Sequence, residues 1–136
     1  TDDGRRRLWR QITSLDPKPA PQELIDLGIR ILALGSAPEA ASVVNDNLES
    51  FCVRLANQES KLATAHTLLE TLPRCSSIKI KTNLARLSYS LGTHAALASV
   101  DASAISEEDM QIIADTFGKG RELTKLKSRF EKASEE

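Results

Sequence analysis

Apolar residues recur at spacings of three and four along almost the whole chain, and strict apolar–polar alternation is nearly absent. A helix returns a side chain to the same face about every 3.6 residues, whereas a strand changes face at each step. The pattern therefore specifies helices. Only 4% of the residues are aromatic, and Ala and Leu dominate, which favours helix over sheet. We expect an all-α fold.

Proline, glycine and capping residues mark where the helices start and stop. A first helix is expected over Arg5–Leu15, with Leu8, Ile12 and Leu15 on one face and Trp9 beside it. Asp16-Pro17 stops it, since proline disfavours helix at the residue before it. Pro17, Pro19 and Pro21 then form a stiff connector. The second helix runs from Pro21 to Leu34 with a stripe of Leu24, Leu27, Ile31 and Leu34, widened by Ile25, Ile29 and Leu32. Gly35 suits its end.

Ser36-Ala37-Pro38-Glu39 has the form of a capping box. It opens a helix to about Asn57 that carries Ala40, Val43, Val44, Leu48, Phe51, Cys52 and Leu55. The next helix, Gln58–Leu72, turns Leu62, Ala65, Leu68, Leu69 and Leu72 inward and is closed by Pro73. Ser76 or Ser77 caps Ile78–Leu91, whose stripe is Ile80, Leu84, Leu87 and Leu91 and which Gly92 stops. A short Ala-rich helix is expected over Thr93–Val100. Ser106-Glu107-Glu108-Asp109 then starts another, with acids in the first turn where the helix dipole favours them. Its inward residues are Met110, Ile113 and Phe117. Gly118 and Gly120 bracket a turn before a basic last helix, Arg121–Ala133, with Leu123, Leu126 and Phe130 on one face.

The count is seven or eight antiparallel helices with short connections. They fit a helical bundle or a short stack of the armadillo, HEAT or tetratricopeptide kind, although no signature of a named repeat is present. The 136 residues, 40% of them apolar, supply one core rather than two. We expect residues 1–136 to be a single helical domain, excised from a longer protein because the chain opens on Thr1. The longest apolar run, Ile31 to Leu34, is far below the ~20 residues that span a bilayer. Two cysteines, Cys52 and Cys75, lack the density of a secreted disulfide framework. Free thiols fit an intracellular location, cytoplasmic or nuclear, and a single Cys52–Cys75 disulfide stays open.

No constellation points to catalysis. Cys52, His66, Cys75 and His94 lack the close spacing of zinc ligands. Gly118-Lys119-Gly120 is too short for a phosphate-binding loop, and no Gly-x-Ser-x-Gly elbow is present. We expect no enzyme activity, no metal and no cofactor.

Charge is distributed in blocks although the net charge is −1. From Thr71 to Val100 there is no acid, and Arg74, Lys79, Lys81 and Arg86 are basic. From Asp101 to Asp115 there is no base, and five acids occur. Lys79, Asn83 and Arg86 share a helix face at spacings of four and three, with Arg74 just before that helix. Together they suit an acidic or phosphorylated peptide. They also read as a solvated face that the acidic block neutralises.

The expected function is a non-catalytic protein–protein interaction module, a scaffold or adaptor, with Arg74, Lys79, Asn83 and Arg86 as its contact. The alternative is nucleic-acid binding through the same face and through Arg5, Arg6, Arg7 and Arg10, beside the stacking ring of Trp9. Salt-sensitive affinity separates the two.

Overall fold

A computed structural model of the chain describes residues 22–34, 41–55 and 59–135, with Gly4 and Arg7. Six α-helices occur among the described residues: α1 (Gln22–Leu34), α2 (Ala41–Leu55), α3 (Lys61–Thr71), α4 (Ile78–Gly92), α5 (Glu107–Phe117) and α6 (Arg121–Glu135). Two 3-10 segments, Leu72–Arg74 and Thr93–Ser99, link α3 to α4 and follow α4. No strand occurs among the described residues, so the all-α expectation holds. The count of seven or eight helices is not confirmed among the described residues. The Ala-rich stretch after α4 is 3-10 rather than α, and the expected Arg5–Leu15 helix lies, except for Arg7, outside the described residues. So do the Ser36–Glu39 box, the Gly35 stop, the proline connector and the Asn57 end.

The starts of α4 and α5 follow from side chains that occupy free backbone groups. Ser77 Oγ accepts from the Ile80 amide at 3.4 Å. Ser106 Oγ accepts from the Asp109 amide at 3.1 Å, and the Ser106 amide donates to Asp109 Oδ2 at 3.1 Å, closing a reciprocal capping box. α5 ends at Gly118, whose φ of +66° is the left-handed conformation that glycine tolerates best.

Gly92 has another reason to be glycine. A Cβ there would lie 2.9 Å from the Ala65 Cβ, so α3 and α4 approach too closely for a side chain. The positive φ that ends α4 falls instead on Thr93, at +49°.

α4 lies at the centre. It packs on α3, α2, α5 and the Thr93–Ser99 segment, while α1 packs on α3 and α6 packs on α5 and on that segment. Its stripe of Ile80, Leu84, Leu87 and Leu91 is buried as expected, as are Met110, Ile113 and Phe117 of α5. In α3, Ala65, Leu68 and Leu69 are buried and Leu62 is exposed, a correction that places Leu62 at the rim of the Gly92 contact.

The stripe of α1 also differs. Ile25, Ile29 and Ala33 are buried, whereas Leu27 is exposed and Leu24, Ile31 and Leu34 are half-buried. A helix apolar around most of its circumference does not fix its own rotation. Its polar residues do so here: Asp26 Oδ1 accepts from Thr67 Oγ1 and from Gln22 Nε2, each at 2.7 Å, so Asp26 must face α3. In α2, Ala41, Val44, Leu48 and Cys52 are buried and Val43 is exposed.

The junction of α4, the Thr93–Ser99 segment and α5 is held by His94. Its Nε2 lies 2.9 Å from the Phe117 carbonyl, which only accepts, so Nε2 carries the proton. The ring meets Tyr89 and Phe117 edge-on. A Cβ on Gly120 would stand 2.9 Å from that ring, which explains the second glycine of the turn.

Candidate functional site

α2 and α4 enclose an open cleft of about 350 Å³ lined by Asn45, Ile78, Lys79, Thr82, Asn83 and Arg86. Three of the four expected contact residues, Lys79, Asn83 and Arg86, are therefore brought together. Arg74 is exposed at the end of the preceding 3-10 segment and does not line the cleft. Of the terminal arginines, Arg7 is exposed and helical, and Arg5, Arg6 and Arg10 lie outside the described residues.

The polar groups of the cleft are unequally satisfied. Arg86 Nη2 donates to Asn83 Oδ1 at 2.6 Å and stands 3.3 Å from Glu49 Oε2 of α2. Asn45 Nδ2 donates to the Lys79 carbonyl at 3.4 Å, tying α2 to the first turn of α4. Thr82 Oγ1 donates to the Ile78 carbonyl at 2.9 Å. Two atoms are left over: Asn83 Nδ2, a donor, and Asn45 Oδ1, an acceptor, are each shielded from water without a hydrogen-bond partner among the described residues. Asn83 is 7% exposed overall, so it is not a residue of a solvated face. A buried polar group without a partner is disfavoured by roughly 1–3 kcal/mol.

Electrostatics separates two lysines that look alike in the sequence. Lys79 is exposed and makes no ion pair with a described residue. Lys81, two residues on, points the other way and is buried against Asp109 at 2.7 Å, with Glu108 at 3.8 Å. The acidic block thus neutralises one base of the run and leaves Lys79 and Arg86 at the cleft.

Cys52 lies below Glu49 and Arg86, and its burial pushes the thiol up to about 12. Desolvation also raises Cys75, whose Sγ contacts the Ala33 carbonyl at 3.4 Å. Both cysteines are free, which decides the disulfide question against a Cys52–Cys75 bond, and neither thiol is activated as a nucleophile. Among the described residues, no group of three or more His, Cys, Asp or Glu is placed to hold a metal ion. No described helix is long and apolar enough to cross a membrane.

Asn45 and Glu49 are the residues that sequence reading misses. They sit four apart on α2, beside its buried stripe. Only the packing of α2 on α4 gives them a role. A second cleft, about 380 Å³ between α5 and α6, mixes Glu107, Glu131 and Lys127 around Met110 and Phe130 and carries no charge of one sign.

The described residues are all-α, and the α2–α4 cleft is lined by Lys79 and by Arg86, which pairs with Glu49. Comparison with protein-family models, with curated proteins and with solved structures gives no match.

Proposed function

We propose that this chain is a non-catalytic helical interaction module, acting as a scaffold or adaptor inside the cell. Its α2–α4 cleft receives an acidic segment of a partner protein. The observation that carries this reading is the convergence of Lys79 and Arg86 on one cleft beside Asn83, whose buried Nδ2 has no partner among the described residues. The packing of α1 on α3 and of α2 on α4 supports a short two-layer stack, in which such a cleft runs between neighbouring helices.

The nucleic-acid alternative draws on the same bases, but Asp109 and Glu108 withdraw Lys81 from them. Of the cleft itself, Lys79 and Arg86 are a small footprint for a phosphate backbone, whose readers track it with a longer positive groove, so that alternative rests on Arg74 and on Arg5, Arg6, Arg7 and Arg10.

The test is fluorescence anisotropy of a labelled glutamate decapeptide against the wild type and against Lys79→Glu with Arg86→Glu. Both substituted residues are exposed, so circular dichroism should be unchanged. Binding by the wild type and its loss in the double variant are expected. Equal binding by both would place the contact elsewhere, and tighter binding of polyuridylate than of the peptide would favour the alternative.

A further inference from the structure

Glu49 already does to Arg86 what a ligand carboxylate would do. Its Oε2 is 3.3 Å from Arg86 Nη2, and the two side chains are 48% and 53% exposed. An ion pair so exposed contributes little net stability, because water and salt screen it. A second carboxylate can therefore replace Glu49 at small cost. The cleft lined by Arg86 also holds two groups that no described residue serves. Asn83 Nδ2 lacks an acceptor, and Asn45 Oδ1 lacks a donor.

We infer that Glu49 is a built-in competitor of the cleft, displaced when the carboxylate of an acidic partner segment takes Arg86 and Asn83 while an adjoining main-chain N–H of that segment donates to Asn45. The inference rests on the acidic-segment reading above and adds which atoms recognise the ligand and what opposes it. The donor–acceptor pair selects the class of ligand. An acidic residue within a peptide carries both a carboxylate and neighbouring N–H groups. A phosphodiester carries the charge with no donor on the group itself. Lys79 adds long-range attraction and no directional demand, as suits a point charge on a flexible stem.

This competition predicts the sign of a charge removal. Removing an acid from the site strengthens binding of an acid. With the labelled glutamate decapeptide as probe, Glu49→Gln should bind about two- to fivefold more tightly than the wild type, the range expected for releasing an exposed ion pair. Glu70→Gln removes the same charge at an exposed position paired with Arg30 at 3.9 Å, and it should leave affinity unchanged. In the Glu49→Gln background, Asn83→Ala should weaken binding about tenfold or more, as expected for a lost hydrogen bond to a charged group.

If the wild type binds the peptide and Glu49→Gln binds it no more tightly, the competitor role is wrong and the acidic-segment reading stands. If Glu70→Gln tightens binding as much as Glu49→Gln, the gain is one of net charge and the competitor role is again wrong. If neither the wild type nor Glu49→Gln binds the peptide, both readings fall together. The Glu49 comparison stands even if Asn83→Ala fails to fold, because Glu49 is half-exposed and outside the core.

Discussion

Lys81 Nζ lies 2.7 Å from Asp109 Oδ1, and these side chains are 11% and 3% exposed. This pair joins the acid-free stretch of the sequence to the base-free stretch. Asp109 is also the third residue of α5 and closes its capping box, so one carboxylate holds the start of α5 and docks it on α4.

Removing one partner of a buried pair leaves the other charge uncompensated and costs about 3–5 kcal/mol. Lys81→Met is expected to destabilise the chain by about that amount. Lys81→Met combined with Asp109→Leu should recover most of the loss of charge balance, because replacing both members of such a pair is often near neutral. Denaturant unfolding of the single and double variants checks this. A double variant less stable than Lys81→Met would show that the capping role of Asp109 outweighs the pairing.

Asn83 should show a trade between stability and binding. Its Nδ2 is buried without a partner, and its Oδ1 bond is to a half-exposed guanidinium that water can serve instead. Asn83→Leu is therefore expected to raise unfolding free energy by about 1 kcal/mol while weakening the glutamate peptide. Thermal unfolding and anisotropy on the same sample measure both.

The end of α4 should respond oppositely to two neighbouring substitutions. Thr93→Gly relieves a non-glycine residue at φ +49° and should stabilise by about 1 kcal/mol. Gly92→Ala forces a Cβ to 2.9 Å from that of Ala65 and should destabilise by about 1–3 kcal/mol. Melting temperatures of the two variants moving in the same direction would contradict this geometry.

Cys52 predicts alkaline behaviour. The folded chain keeps the thiol proton to about 12, whereas the unfolded chain releases it near 9.0. Between those values the folded state binds more protons, so stability falls as pH rises, by up to about 1.4 kcal/mol per pH unit. Below 9.0 both states are protonated and Cys52 adds no slope. In a Cys75→Ala background, Cys52→Ala should remove this component of the alkaline loss, as read by urea unfolding at several pH values.

The parts of the fold that were legible in the sequence are those set by local chemistry. The Ile80–Leu91 stripe, the Ser77 and Ser106 caps and the Gly118 turn each depend on residues within a few positions of one another. The rotation of α1 was not legible, because Leu and Ile surround it and the deciding contact, Asp26 with Thr67, crosses 41 residues. The site was legible in half. Spacing alone puts Lys79, Asn83 and Arg86 on one face. That Asn83 is buried, that Lys81 pairs with Asp109, that Asn45 lines the cleft and that Glu49 pairs with Arg86 all follow from helix packing, which periodicity does not encode.

The most direct measurement is an amide and side-chain NMR titration of the chain with the glutamate decapeptide. Shifts are expected at the Asn83 and Asn45 side-chain amides, at the Arg86 guanidinium and in the first turn of α4, with the basic helix α6 unmoved. Shifts concentrated on Lys125, Lys127 and Arg129 of α6, with the Asn83 side-chain resonances in place, would contradict it.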